Sequence, residues 1–247
     1  MAIERGQMRL VFMPYVDLAT GQVIGAESLV RWQHPDHGEV PAAEFVPIAE
    51  RSGLIVPIGL WVVEQAVSQA ARWRAGLLVG INLSAVQMRQ HDFVERIIDL
   101  VDRYRVDPSA VVFEVPEAVV AEEDGRITAA MARLRDEGFR FAIDDFGTGN
   151  SALASLQRQP VDFLKIDRTA VEELGADPDG SSMGRTILQT AASLGLATVA
   201  EGIETTGQLR ELRRLGCSFG QGYLLSHPVE ADELERRFGH PDTVSTV

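Results

Sequence analysis

The stretch Leu10–Trp32, which reads LVFMPYVDLATGQVIGAESLVRW, decides the fold. It contains two strand-like apolar runs, Leu10–Val16 and Val23–Trp32, joined by the short turn-like segment Asp17–Gln22. Two strands joined that closely must be antiparallel, because a parallel crossover needs about a dozen or more residues. The chain is therefore predicted to begin with a hairpin, in which one strand is reversed relative to the rest of the sheet.

Beyond the hairpin, short apolar runs typical of strands alternate with longer amphipathic runs typical of helices. The further predicted strands are Leu77–Leu83, Ala110–Val115, Phe139–Ile143, Asp162–Ile166, Ala197–Ala200 and Phe219–Tyr223. The predicted helices are Pro57–Ala75, Asp92–Tyr104, Ile127–Glu137, Met183–Leu194 and Thr206–Leu215. This alternation implies a largely parallel sheet with helices packed outside it.

The strand count and the length of 247 residues favour a closed barrel over its rival, an open doubly wound sheet. The predicted fold class is α/β, a (β/α)8 TIM-like barrel with an antiparallel first strand. The linker-like stretches are Gly175–Ser182 and the tail from Gly239, and neither divides the chain into separate cores. We therefore expect one barrel domain over residues 1–247, with its core at about 8–238.

Composition narrows the class of protein. The chain has 36 acidic and 23 basic side chains, so its formal charge is −13. This excess argues against a nucleic-acid-binding surface, which needs basic residues to neutralise phosphates. No apolar run reaches the roughly 18 residues of a membrane span, and Met1–Arg9 lacks a signal-peptide core. The single cysteine, Cys217, cannot form an internal disulfide, and together these features favour a cytoplasmic protein.

Polar residues lie near the C-terminal ends of seven predicted strands, where a barrel gathers its active-site residues on one rim. They are Glu27, Asn82, Glu114, Asp144 with Asp145, Lys165, Glu201 and Gln221. Carboxylates packed this closely raise one another's pKa or require a cation. Oxygen-only ligands suit Mg²⁺ or Mn²⁺ better than zinc, and adjacent carboxylates suggest two ions, a common device for phosphodiester hydrolysis.

Other interpretations remain open at this point. A single acid at a strand end is more often a helix cap, and Asp144 or Asp145 could cap a helix over Asn150–Gln157. Lys165 and Asp167 could form an ordinary ion pair at a strand end. The coincidence across seven strands favours a metal-dependent phosphohydrolase site. Glycerol-phosphate barrels, enolising metal barrels and a non-catalytic core are the alternatives.

Seven motifs, in order, resemble those of the EAL domain family from about residue 3 to about residue 238. They are Glu27–Pro35, Asn82–Ser84, Glu114–Glu117, Asp144–Gly149, Lys165–Asp167, Glu201–Glu204 and Gln221–Tyr223. The resemblance implies a barrel with an antiparallel first strand and hydrolysis of cyclic di-GMP, a bacterial second messenger, to linear pGpG. It also implies two Mg²⁺ or Mn²⁺ ions, a homodimer, and in many family members fusion to sensory or GGDEF domains.

The resemblance also assigns roles to individual residues. The first metal ion would be held by Glu27, Asn82, Glu114 and Asp144, and the second by Asp144, Asp145 and Glu201. Lys165 would contact the nucleophilic water and Glu201 would serve as a general base. The expected catalytic residues are these two and Asp145. The expected substrate contacts are Leu29, Arg31, Gln221 and the position of Met13. Glu117 would support the loop after Asp145, which shapes the second metal site and a dimer interface.

Several positions depart from the family pattern. Met13 replaces a substrate-contacting glutamine, and Pro116 replaces a threonine, which removes a backbone donor. Asn150 and Ala152 replace a tyrosine and a serine, and Ser28 replaces an alanine. Every expected metal ligand and the catalytic lysine are kept. The alternatives to an active hydrolase are therefore a cyclic di-GMP receptor that barely cleaves and a protein-interaction module.

Overall fold

The hairpin predicted at the start of the chain is present. A computed structural model describes residues 2–73, 76–121, 124–146, 161–176 and 182–238. Strand β1 (Met8–Asp17) and strand β2 (Val23–His34) pair antiparallel, with Met8 opposite Trp32 and Met13 opposite Glu27. The backbone N–H of Asp17 donates to the carbonyl of Gln22 at 2.8 Å, which closes the turn.

Eight strands close into a barrel in the described part of the chain. The strands after the hairpin are β3 (Gly38–Val40), β4 (Leu78–Asn82), β5 (Val111–Pro116), β6 (Arg140–Phe146), β7 (Phe163–Ile166), β8 (Ala197–Ala200) and β9 (Phe219–Gly220). The ring runs β1-β2-β4-β5-β6-β7-β8-β9, and β9 pairs back to β1. Strand β1 is antiparallel to both neighbours, whereas strands β2 and β4 to β9 are mutually parallel. This arrangement confirms the predicted barrel, and the open sheet is wrong.

Helices flank the ring, as strand–helix alternation requires. They are α1 (Ala42–Ser52), α2 (Ile55–Ala70), α3 (Ala85–Met88), α4 (Phe93–Tyr104), α5 (Glu117–Ala121), α6 (Gly125–Asp136), α7 (Arg168–Ala176), α8 (Met183–Leu194), α9 (Thr206–Arg214) and α10 (Ala231–Phe238). Strand β3 and helices α1, α3, α5, α7 and α10 were not predicted. The helix expected over Asn150–Gln157 lies outside the described residues, as do part of Gly175–Ser182 and the tail from Gly239. The single-domain boundaries stay a prediction.

The barrel interior has two layers, because alternate residues of each strand point inward. A small apolar cluster, formed by Tyr15, Val112, Ala142, Phe163 and Val199, fills the lower layer. The residues two positions further along, on β5, β6 and β7 and just past the end of β8, are Glu114, Asp144, Lys165 and Glu201, and they form a polar layer at the carboxyl ends of the strands. The charged layer at the carboxyl ends of the strands, called the rim below, therefore lies directly against the packed apolar layer, called the floor.

Features outside the barrel interior follow ordinary packing. Cys217 is buried, and burial raises the pKa of its thiol to about 11, which keeps it protonated. Asp167 accepts the backbone N–H of Thr169 at 2.8 Å and caps the start of α7 rather than pairing with Lys165. None of the helices in the described ranges has the length and apolar composition needed to cross a membrane.

Candidate active site

The polar rim converges on the ammonium group of Lys165. Its Nζ lies 2.6 Å from Glu114 Oε2 and 2.6 Å from Glu201 Oε1. It also lies 3.1 Å from Asp144 Oδ1 and 3.4 Å from Glu27 Oε2. These five side chains come from five different strands or strand ends, so the barrel topology alone brings them together.

Two amide side chains hold the carboxylates in place. Asn82 Nδ2 donates to Glu27 Oε1 at 2.7 Å. Gln221 Nε2 donates to Glu27 Oε2 at 2.8 Å and to Glu201 Oε1 at 3.1 Å. Because both oxygens of Glu27 accept a hydrogen bond, its orientation is fixed without any cation.

A left-handed backbone conformation at Asp145 turns its carboxylate toward the same acidic cluster as the carboxylate of Asp144. Asp145 has φ of 55°, a conformation that aspartate tolerates better than most residues, and its N–H donates to Asp144 Oδ1 at 3.0 Å. Successive residues of a strand normally point to opposite faces. Here carboxylate oxygens of Asp144, Asp145 and Glu201 all lie within 4.8 Å of one another. The turn therefore explains how an adjacent pair of acids can serve one site.

Burial raises the pKa values of three acids of the cluster, Glu114, Asp145 and Glu201. Burial, followed by the negative charge of Glu27, raises the pKa of Glu114 well above its usual value. Burial also raises the pKa of Glu201 to about 7, despite the nearby Lys165. Burial would raise the pKa of Glu27 as well, but Lys165 and the hydrogen bonds from Gln221 and Asn82 outweigh it and lower that pKa. Burial and then Asp144 raise the pKa of Asp145.

The donor set fits divalent cations. Four carboxylates surround the Lys165 ammonium and the carboxylate of Asp145 lies beside them, so the fully ionised cluster carries four negative charges in excess. Two divalent cations would balance that excess. The donors are carboxylate and amide oxygens, which is the chemistry that Mg²⁺ and Mn²⁺ prefer. Asp144 lies near Lys165 Nζ and also within 4.8 Å of Asp145 and Glu201.

Two cavities open beside the cluster. One, of about 320 Å³, is lined by Met13, Leu29 and Arg31 and by three acids of the cluster, Glu27, Asp144 and Glu201. The other, of about 470 Å³, also reaches Leu29 and Arg31 and continues between α1 and α2. Glu27, Leu29 and Arg31 alternate along β2 and therefore face the same side. Leu29 and Arg31 thus line both cavities beside the carboxylates.

A family model described as EAL domain matches residues 1–228. The chain belongs to the EAL domain family. The match covers every residue of the rim, so the barrel and its acidic mouth are those of an EAL domain.

The EAL domain has well-matched relatives. It is 38% identical over 229 residues to Cyclic di-GMP phosphodiesterase PA2567 of Pseudomonas aeruginosa, covering 92% of this chain and 39% of that protein. It is 38% identical over 237 residues to the Bifunctional diguanylate cyclase/cyclic di-GMP phosphodiesterase MucR of the same organism, covering 94% and 35%. A solved PaMucR phosphodiesterase, in complex with c-di-GMP, has a TM-score of 0.89 and 38% identity, covering 94% and 96%. The chain spans under two fifths of these curated relatives.

The structure places most residues predicted for the EAL site in or beside the cluster. Met13, Leu29, Arg31 and Gln221, predicted to contact substrate, all line the smaller cavity. Glu117 is buried at the first position of α5. The loop that Glu117 was expected to support lies outside the described residues, together with Asn150 and Ala152. Pro116 and Ser28 line the larger cavity, and Ser28 Oγ donates to the carbonyl of Gly80 at 2.7 Å.

Two residues of the EAL site were missed. Arg168, in the first turn of α7, lines the smaller cavity, and its Nη2 pairs with Glu204 at 3.1 Å. Tyr15 is buried beneath the cluster and its hydroxyl donates to Glu114 Oε1. Burial and the charge of Glu114 raise the pKa of Tyr15 well above its usual range, so the hydroxyl keeps its proton. The sequence signal for Tyr15 was its spacing of two from Met13 on a strand, which puts both on one face.

Proposed function

We propose that this EAL domain hydrolyses one phosphodiester bond of cyclic di-GMP to give linear pGpG, with two Mg²⁺ or Mn²⁺ ions as cofactors. The observation that carries the proposal is the convergence of Glu27, Glu114, Asp144 and Glu201 on one point, with Asp145 beside them. Relatives named as cyclic di-GMP phosphodiesterases support the substrate. Paired ions a few Å apart are a common device for this reaction.

The metal ligands divide into two groups in this proposal. Glu27, Asn82, Glu114 and Asp144 would hold one ion, and Asp144, Asp145 and Glu201 would hold the other. When bound, the ions polarise the phosphate and lower the pKa of the attacking water. The hydrogen bonds from Gln221 and Asn82 to Glu27 hold that ligand ready.

The remaining residues bind substrate and handle the proton. Glu201 Oε1 is the proposed acceptor of the water proton, because it lies beside Lys165 Nζ, the proposed contact of that water. Lys165 Nζ, 2.6 Å from that oxygen, would orient the water and stabilise the carboxylate. Arg31 would donate to phosphate oxygens through its planar guanidinium, and Leu29, which lines the same cavity, would also contact the substrate. Met13 and Gln221 would line the rest of the substrate site.

The site favours hydrolysis over a receptor role. Each acid of the two proposed ligand groups is present, as is Lys165. The notable departure, Met13, is buried at the cavity mouth, where a thioether is a weak acceptor and no donor. This change removes a contact that would serve binding and leaves the acids untouched. A receptor that binds cyclic di-GMP without cleaving it needs tight substrate contacts, and it does not need the full set of metal-binding acids.

A turnover assay tests the proposal. Purified protein with Mg²⁺ or Mn²⁺ should convert cyclic di-GMP to pGpG, measured by chromatography of the nucleotides. Glu27→Ala should reduce the product to background. Glu95→Ala removes a surface acid paired with Arg133 at 2.9 Å and should leave the rate unchanged. Absence of pGpG above the Glu27→Ala level would refute the proposal, and tight calorimetric binding without turnover would support the receptor.

The expectations about the wider protein remain proposals. We propose that it acts in the cytoplasm and as a homodimer. The curated relatives are more than twice as long as this chain, which is compatible with fusion to sensory or GGDEF domains. Sedimentation velocity at several protein concentrations would measure the oligomeric state.

A further inference from the structure

Tyr15 connects the apolar floor of the barrel to the acidic rim. Its ring packs in the lower layer with Val112, Phe163 and Val199. Its hydroxyl reaches upward and donates to Glu114 Oε1. Tyr15 lies on β1, whereas Glu114 lies on β5, so the contact crosses the barrel interior rather than joining neighbouring strands.

A glycine makes room for this contact. Gly80 lies on β4, between β2 and β5 in the ring. A Cβ atom built at Gly80 would overlap both the Tyr15 hydroxyl and Glu114 Oε1. The absence of a side chain at Gly80 is therefore what allows the tyrosine to approach the glutamate. Its φ is not in the left-handed region, so space and not backbone conformation is the reason for glycine here.

The two oxygens of Glu114 have different partners. Oε1 accepts from Tyr15, and Oε2 lies 2.6 Å from Lys165 Nζ in the centre of the cluster. A glutamate carboxyl rotates in a broad torsional well when nothing holds it. Glu114 is only 1% exposed, so water cannot take over the task of orienting it. A donor on Oε1 thus fixes the plane of the carboxylate and keeps its other oxygen facing the rim.

We propose that Tyr15 is a positioning residue of the metal site, which holds Glu114 Oε1 and so presents Oε2 to the cations. The inference rests on the proposed function, because it assumes that Glu114 is a metal ligand. Removing a hydrogen bond that orients a metal-ligating side chain typically lowers metal affinity or activity by about 10–100-fold. The same magnitude is expected here.

Tyr15→Phe tests the inference because it removes one oxygen and keeps the ring. Free Mn²⁺ measured by electron paramagnetic resonance gives the affinity without any substrate. We expect Tyr15→Phe to raise the Mn²⁺ Kd by about 10–100-fold. Turnover by the variant should be low at limiting Mn²⁺ and recover as Mn²⁺ is raised, with the KM for cyclic di-GMP unchanged.

Two control variants separate orientation from packing. Tyr104→Phe removes the same atom from a partly buried tyrosine on α4, whose hydroxyl lies 3.3 Å from Glu64, and should bind Mn²⁺ like the wild type. Val112→Ala loosens the floor without touching the hydrogen bond, and should lower the melting temperature but not the Mn²⁺ affinity. An unchanged Kd in Tyr15→Phe, or an equal loss in Val112→Ala, would overturn the inference.

Other outcomes are also decisive. If the wild type fails to bind Mn²⁺, the proposed function falls and this inference falls with it. If the wild type binds and Tyr15→Phe binds equally well, only the inference falls. If Tyr15→Phe does not fold, the wild-type hydroxyl proton is followed by nuclear magnetic resonance. A slowly exchanging proton that shifts on addition of Mg²⁺ supports the inference, and one that exchanges rapidly with and without Mg²⁺ overturns it.

Discussion

Raising the pH should destabilise the EAL domain when no metal ion is bound. Burial raises the pKa values of Glu114, Asp145 and Glu201, so the folded state binds their protons more tightly than the unfolded chain does. The stability that these groups contribute is fully present below their unfolded pKa values and is lost as the pH rises through the folded ones. Between pH 5.5 and 8.5 the free energy of unfolding should therefore fall.

Glu201 sets the size of the effect. Its pKa rises from 4.5 to about 7, and one pKa unit corresponds to about 1.4 kcal/mol, so full titration costs about 3 kcal/mol. Part of this change falls below pH 5.5. Glu114 shifts in the same direction and adds to the loss. The lowered pKa of Glu27 acts only below about pH 4.5 and so lies outside this range.

Urea unfolding with a chelator at pH 5.5 and 8.5 measures the effect. Glu201→Gln should reduce the dependence on pH, because the amide does not titrate. With Mn²⁺ in place of the chelator the trend should reverse, since the ion binds ionised carboxylates and must compete with protons at low pH. Stability that rises with pH in the chelator, or an unchanged slope in Glu201→Gln, would refute the reasoning.

Three further predictions concern single residues. Lys165→Met should abolish turnover, and in chelator at pH 8 it should lower the free energy of unfolding by about 3–5 kcal/mol, because it leaves buried carboxylates without their ammonium partner. Urea unfolding measures this loss, with the exposed Arg133→Met, expected to lose about 0–1 kcal/mol, as the control. A loss no larger than that of Arg133→Met would contradict the prediction. Met13→Gln should lower the KM for cyclic di-GMP by about 2–10-fold in steady-state kinetics, because one hydrogen bond contributes about 0.5–1.5 kcal/mol; an unchanged or higher KM would count against a substrate contact there. Gly222→Ala should lower the free energy of unfolding by about 2 kcal/mol or more, because its Cβ would overlap the backbone of Ile203 and its φ is 156°; a variant as stable as the wild type would show that the chain relaxes there.

Sequence reasoning predicted the features that depend on local pattern. The short link between β1 and β2 allowed only one pairing, and the positions of Glu114 and Glu201 at the ends of apolar runs placed them on one rim. The helix Met183–Leu194 agrees with its predicted limits, because Gly195 ends it in a left-handed conformation. Periodicity and turn chemistry are local properties and can be read from one sequence.

Sequence reasoning missed features that depend on packing across the fold. Helix α1 contains Pro47 and lacks a side-chain cap, so its local signal is weak. Tyr15 lies in an apolar run, where its ring is indistinguishable from core, and only the barrel register shows that its hydroxyl meets Glu114. The same holds for Gly80, whose importance is the space that it leaves. The central position of Lys165 among four carboxylates likewise depends on strands distant in sequence.

Anomalous diffraction from crystals grown with Mn²⁺ and cyclic di-GMP tests the central claim most directly. The account predicts two manganese peaks in the barrel mouth, one among Glu27, Glu114 and Asp144 and the other among Asp144, Asp145 and Glu201. Each peak should disappear or weaken when Asp144 is replaced by alanine. Bound nucleotide with no manganese peak at these acids would contradict the account.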